Sequence, residues 1–146
     1  MTQAAAKPIL VLTLVAGQAA APVFVMRQPL SFWGGLDAAT GRIIDPRHPQ
    51  VGESVAGRIL LMEAGRGSSS GSSVLAEAIR LGTAPAGIVL LTRDAIVTVG
   101  ALVGVELYKQ PCPVVLARRE DWPQVAAARS VRISADPVGG EIVLQA

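Results

Sequence analysis

The sequence predicts an α/β domain of three layers, two β-sheets with helices on one outer face, and three observations carry that prediction. Two continuous apolar runs of strand length, 57–63 and 87–92, bracket a segment with helical spacing. Short β-rich stretches stand at both ends of the chain, and Gly, Pro, Asp and Ser punctuate the connections between them. With 146 residues the chain suits one domain, 1–146, with 1–7 open to disorder.

In chain order, strands at 8–15 and 22–27 flank a small-residue turn around Gly17 and read as a hairpin. Residues 29–46 carry turn chemistry every few positions and no helical period, so they form an ordered loop or a broken strand. The helix at 73–81 places Val74, Leu75, Ala78 and Ile79 on one face, with Gly82 as its stop. With the runs on either side it makes a strand, helix, parallel strand unit, right-handed by default. A second helix spans 94–107 behind Asp94 as N-cap, despite Gly100 and Gly104 inside it. A strand at 113–117, a short helix opening at Asp121 and Pro123, and a hairpin of 130–135 and 141–145 turned by Asp136–Gly140 complete the domain.

Composition narrows the function. Hydrophobic residues are 51% and charged ones 16%, which excludes disorder and leaves apolar surface to spare for an extra buried face. The five aromatic residues (Phe24, Phe32, Trp33, Tyr108 and Trp122) are too scattered to stack single-stranded nucleic acid, and a net charge of +2 without a basic stripe argues against nucleic acid generally. One cysteine, Cys112, and one histidine, His48, cannot build a closed metal site by themselves. Lys7, the apolar Ile9–Val15 and Ala19–Ala21 mimic a secretory signal with release after Ala21, and the β-branched alternation of Ile9, Val11, Thr13 and Val15 reads equally well as a strand. No apolar run reaches about 18 residues, so membrane spanning is not expected and the chain reads as cytoplasmic.

The stretch Ala64-Gly-Arg-Gly-Ser-Ser-Ser-Gly-Ser-Ser73 lies between a buried strand and a helix start. Its glycines let backbone approach a ligand, and the free N–H groups of the following turn favour an anion. Serine hydroxyls add donors and Arg66 adds a charge that pairs with a carboxylate. The plainer alternative is a flexible linker or a helix cap with one capping serine. The stretch lacks the Gly-Lys-Ser/Thr ending of a P-loop, the downstream acid of a dinucleotide fingerprint and the Gly-x-Ser-x-Gly of a nucleophile elbow.

Together with Pro29-Leu-Ser-Phe-Trp-Gly-Gly-Leu-Asp37, Thr40-Gly41, Gly52-Glu-Ser-Val-Ala-Gly-Arg-Ile-Leu60 and Gly82-Thr-Ala-Pro-Ala86, this loop resembles the small subunit of the aconitase X group over about residues 9–145. The resemblance implies a swivelling β/β/α domain and a hydro-lyase acting on a small hydroxy acid. In that group bacterial members act on cis-3-hydroxy-L-proline and archaeal ones on mevalonate 5-phosphate. It implies a large catalytic subunit as partner, holding an iron–sulfur cluster whose iron is the Lewis acid, and an inactive isolated chain. The superfamily's Gly-Ser-Ser-Arg motif falls here with its base serine at Ser68, its second serine at Ser69 and its arginine position at Ser70. That departure removes the clamp for a tricarboxylate. The expected roles are therefore Ser68 as general base, with Arg66, Gly67, Ser69 and Ser70 binding the substrate.

Phe32, Trp33 and Asp37 are candidates to line the cleft or the subunit interface, with core plugs under a loop as the alternative for the aromatics. His48 admits a different class of function, since swivelling domains also serve as phosphohistidine carriers, although its place before Pro49 and outside the Gly/Ser loop argues against it. Cys112, between Pro111 and Pro113, reads as a small buried hydrophobe.

Overall fold

The computed structural model describes residues 7–145; the remainder of the segment 1–7 expected to be disordered, 1–6, lies outside the described residues. Nine strands are present among the described residues: β1 (Ile9–Val15), β2 (Gly17–Val25), β3 (Leu36–Asp37), β4 (Arg42–Ile43), β5 (Ile59–Met62), β6 (Gly87–Leu90), β7 (Val114–Leu116), β8 (Ser130–Ala135) and β9 (Gly140–Gln145). The helical elements are a single irregular turn α1 (Phe32–Gly35), α2 (Gly71–Leu81), α3 (Ala95–Tyr108) and α4 (Trp122–Ala127), the last preceded by a 3₁₀ turn at Arg119–Asp121.

The predicted N-terminal hairpin does not form. Only Ala16 separates β1 from β2, and one residue cannot reverse a chain when even the tightest common hairpin loop takes about two. Each strand instead serves two neighbours in turn. Ile9–Val11 of β1 pairs antiparallel with β9, and after them Leu12–Val15 pairs antiparallel with β7, with a bulge between Thr13 and Val15. Likewise Gly17–Pro22 of β2 pairs antiparallel with β8, whereas Val23–Val25 pairs parallel with β5. The two predicted sheets therefore share β1 and β2 and close into one barrel of order β1-β7-β6-β5-β2-β8-β9. The C-terminal hairpin is present as expected, β8 and β9 pairing along their full lengths.

The apolar runs at 57–63 and 87–92 are continuous because β5 and β6 are buried on both faces. Ile59, Leu61, Val89 and Val115 point into the barrel with Val131, Ile133 and Ile142. Leu60, Met62, Ile88, Leu90 and Val114 point outward beneath Leu75 and Ile79 of α2 and Val97 and Ala101 of α3. Complete burial of each such aliphatic side chain contributes about 1.5–3 kcal/mol. Gly100 and Gly104, which weaken α3 as an isolated helix, are contact points in the fold. A methyl at Gly100 would stand 2.9 Å from the Ser72 carbonyl, and one at Gly104 would stand 2.8 Å from Ile79. The two helices pack through that glycine stripe, so tertiary contact outweighs poor local propensity. Gly82 ends α2 in the left-handed conformation, φ 79°, as its position in the sequence predicts. Among the described residues no helix is long and apolar enough to cross a membrane.

Candidate active site

Strands β2, β5, β6 and β7 are parallel and in register, Val25 beside Leu61, Leu61 beside Val89 and Val89 beside Val115. They therefore leave the sheet at one edge, the carboxyl edge at which open α/β sheets bind ligands. The Gly/Ser loop is the connection from β5 to α2 at that edge. Next to it lie the segment after β2, with Ser31 and α1, and the β6–α3 connection, with Asp94.

Contacts with those neighbours explain the loop's glycines. A methyl at Gly65 would overlap the Asp94 carboxylate, and one at Gly67 would overlap the Ser31 hydroxyl. A methyl at Gly71 would lie 3.1 Å from Ile96 and 3.6 Å from Phe32. Gly67 also has φ 103°, a conformation that a side chain would strain. The flexible-linker alternative fails here, because each glycine marks a place where another part of the chain presses on the loop.

The capping alternative fails as well. Ser70 occupies the N-cap position of α2, yet its hydroxyl makes no cap hydrogen bond; Ser73 Oγ instead donates to the Ser70 carbonyl at 2.8 Å. Ser72 Oγ donates to the Ile96 carbonyl at 2.7 Å, tying α2 to α3. The Ser68 and Ser69 carbonyls accept the N–H groups of Gly71 and Ser72. Among the described residues the N–H groups of Gly67, Ser68, Ser69 and Ser70 have no protein acceptor, and the hydroxyls of Ser68, Ser69 and Ser70 have no protein partner. Arg66 through Ser70 are exposed. Unpaired donors at the start of an 11-residue helix form a cradle for negative charge, reinforced by the helix dipole.

Charge at this edge is organised by the topology. Arg27, Arg66, Arg93 and Arg118 follow β2, β5, β6 and β7 within a few residues, a grouping that the scattered sequence positions do not reveal. Arg118 pairs with Asp121 at 3.1 Å and Arg119 with Glu63 at 3.5 Å. No carboxylate among the described residues lies within 4 Å of Arg27, Arg66 or Arg93.

The other sequence candidates separate. Phe32 is a core residue, 2% exposed, whereas Trp33 is 59% exposed with its backbone N–H beside Gly71. Asp37 is occupied in a turn, with Oδ1 accepting from the Ala39 N–H at 3.0 Å and Oδ2 from Thr40 Oγ1 at 3.0 Å. That turn rests on Thr83, beyond the far end of α2, so Asp37 does not join the loop. His48 is 4% exposed and both ring nitrogens are engaged: Nδ1 accepts from the Gln50 N–H at 3.1 Å, and Nε2 lies 3.1 Å from the Gln28 carbonyl. A phosphohistidine carrier needs a free ring nitrogen, and His48 has none to offer. Cys112 is buried with Sγ 3.4 Å from the Pro85 carbonyl, and burial pushes its thiol up to about 12. Such a thiol is a poor metal ligand, and the described residues hold no group of three or more His, Cys, Asp or Glu placed for a metal. This chain's residues therefore do not fit an iron–sulfur cluster. The contacts of Ser31 and Asp94 with the loop are absent from the sequence reading, which places Asp94 only as a helix cap.

A family model described as the aconitase X swivel domain matches residues 9–143. A cis-3-hydroxy-L-proline dehydratase of Hypocrea jecorina is 38% identical over 124 residues, covering 85% of this chain and 21% of that protein. The chain thus spans about a fifth of the length of that relative. A phosphomevalonate dehydratase small subunit of Methanothermobacter thermautotrophicus is 40% identical over 110 residues, covering 75% of this chain and 84% of that one. The holo-form crystal structure of Thermococcus kodakaraensis aconitase X superposes with a TM-score of 0.78 at 29% identity, covering 96% of this chain and 99% of that one.

Proposed function

From the premise that the chain belongs to the aconitase X swivel domain family, we propose that it is the small subunit of a dehydratase that removes water from a small hydroxy acid, cis-3-hydroxy-L-proline in the first instance. The observation that carries this reading is the cradle of unpaired N–H groups and free hydroxyls over Gly67–Ser70. The substrate carboxylate is held by the Gly67, Ser69 and Ser70 donors with Arg66 beside them, and Ser68, where the family resemblance places the base, supplies its Oγ for that role. Ser68 as alkoxide takes the proton next to the carboxylate, and the C–H electron pair becomes the new double bond. The hydroxyl leaves the neighbouring carbon with its bonding pair, and the proton on Ser68 passes to it so that water departs and the alkoxide is restored. Nearby N–H groups and the α2 dipole favour the charged form of that oxygen. On this reading an iron–sulfur cluster in the larger subunit would supply Lewis acidity for the departing hydroxyl. Trp33, the exposed aromatic next to the loop, belongs to the surface that meets that subunit.

Arg27, Arg66 and Arg93 favour a second reading, in which the substrate carries a further anionic group, as mevalonate 5-phosphate does. Co-expression with the large subunit and assay of both hydroxy acids distinguishes the two. In whichever reaction the complex catalyses, Ser68→Ala lowers turnover by about 10²–10⁴-fold, the range of positioned acid–base catalysis. Near-normal turnover in that variant removes Ser68 as base.

A further inference from the structure

We propose that Asp94 is a positioning residue of this site, tying the start of α3 to the loop that carries Ser68. Its carboxylate serves two parts of the chain. Oδ1 accepts the Val97 N–H at 3.0 Å and so caps α3. Oδ2 faces Gly65, where any side chain atom would overlap it. The Asp94 carbonyl also accepts Thr98 Oγ1 at 2.7 Å and the Thr98 N–H at 3.1 Å. The carboxylate therefore cannot swing away from Gly65 without giving up the cap.

On the other side of the loop Ser31 Oγ lies against Gly67 while donating to the Trp33 carbonyl at 2.9 Å. Two connections thus grip the loop at positions two residues apart, with Arg66 between them and Ser68 immediately after. The hydrogen bonds that bind the loop to α2 begin only at the Ser68 carbonyl. Upstream of that point contact with Asp94 and Ser31 sets the path of the backbone. A displacement of about 1 Å at a reacting group costs on the order of 100-fold in rate.

This inference rests on the dehydratase reading, so the variants are assayed in the reconstituted two-subunit enzyme. A wild-type complex without turnover on either hydroxy acid overturns that reading; the pattern among variants tests Asp94. Gly65→Ala is expected to lower kcat about 100-fold, because the new methyl displaces the loop. Asp94→Ser keeps an oxygen that can cap α3 and withdraws the carboxylate from Gly65. In that background Gly65→Ala should cost no more than about a further twofold, with the melting temperature of Asp94→Ser alone. Asp94→Asn, which keeps both the cap and the shape, should hold kcat within about twofold of wild type. The proposal is overturned if Asp94→Ser alone keeps wild-type turnover, if Gly65→Ala is harmless, or if it is as damaging beside Asp94→Ser as it is alone. It is equally overturned if a folded Asp94→Asn complex loses turnover, since the carboxylate would then act chemically.

Discussion

The Gly/Ser loop and the loop around His48 are both polar connections bearing a residue capable of chemistry, and they are built in opposite ways. Around His48 the two buried polar side chains, His48 and Gln50, are satisfied inside the protein. The ring bridges the Gln28 carbonyl and the Gln50 N–H, and the Gln50 side chain spans the Arg27 N–H at 2.9 Å and the Val25 carbonyl at 2.9 Å. These bonds staple the 44–52 segment to the end of β2. In the exposed Gly/Ser loop four consecutive N–H groups and three hydroxyls have no protein partner among the described residues, and Asp94 and Ser31 press on the backbone at Gly65 and Gly67. A polar group that is buried and paired serves the fold; donors left unpaired on a backbone held by neighbouring contacts are available to a ligand.

The sharpest way to break this contrast is to exchange the consequences of mutation. Ser68→Ala should lower turnover of the assembled enzyme by the about 10²–10⁴-fold stated above, yet leave the melting temperature unchanged because the side chain is exposed and unbonded. His48→Ala should do the reverse. It leaves the Gln28 carbonyl and the Gln50 N–H unpaired in a buried site, at a cost of about 1–3 kcal/mol by denaturant titration, while turnover per folded complex stays within a few-fold. A His48→Ala complex that is stable but inactive would invert the assignment.

A smaller effect concerns Cys112. Burial raises its thiol from the ordinary 9.0 to about 12, so the folded chain holds that proton more tightly than the unfolded one. The stabilisation is complete below about pH 9 and is lost as the pH rises toward about 12. Urea midpoints of the native chain should therefore fall more steeply over that interval than those of Cys112→Ala. The native thiol should also resist iodoacetamide at pH 8 and react once the chain is unfolded. The smallest effect is expected at the exposed Glu77–Arg80 pair on α2. Arg80 holds the Glu77 carboxyl below its ordinary range, but both side chains are solvated, so Glu77→Gln should leave the melting temperature unchanged within error.

Much of the fold is legible along the chain because its signals are local. Gly82 stops α2, Asp94 starts α3, and the uninterrupted Ile59–Met62 and Gly87–Leu90 runs are strands covered on both sides. The candidate site is legible as a loop: glycines and serines between a buried strand and a helix mark 64–73 as a candidate anion cradle. Partnership across long sequence distances is less legible. Nothing near Ile9 announces that its strand will pair with β9, and nothing in Gly65 or Gly67 names Asp94 or Ser31 as the reason for it. The aromatic pair Phe32 and Trp33 divides between core and surface because Gly34 turns the chain there with φ 77°, a choice that composition cannot show.

The sequence by itself determined most of the regular elements, the Gly/Ser loop as the candidate site and the surplus of apolar residues, because period, punctuation and propensity act over a few neighbouring residues. Only the tertiary structure decided that two sheets close into a barrel, that His48 is a staple and that Asp94 and Ser31 press on the Gly/Ser loop. Those outcomes depend on contacts between segments distant in the chain, where burial and steric fit override what each segment prefers alone.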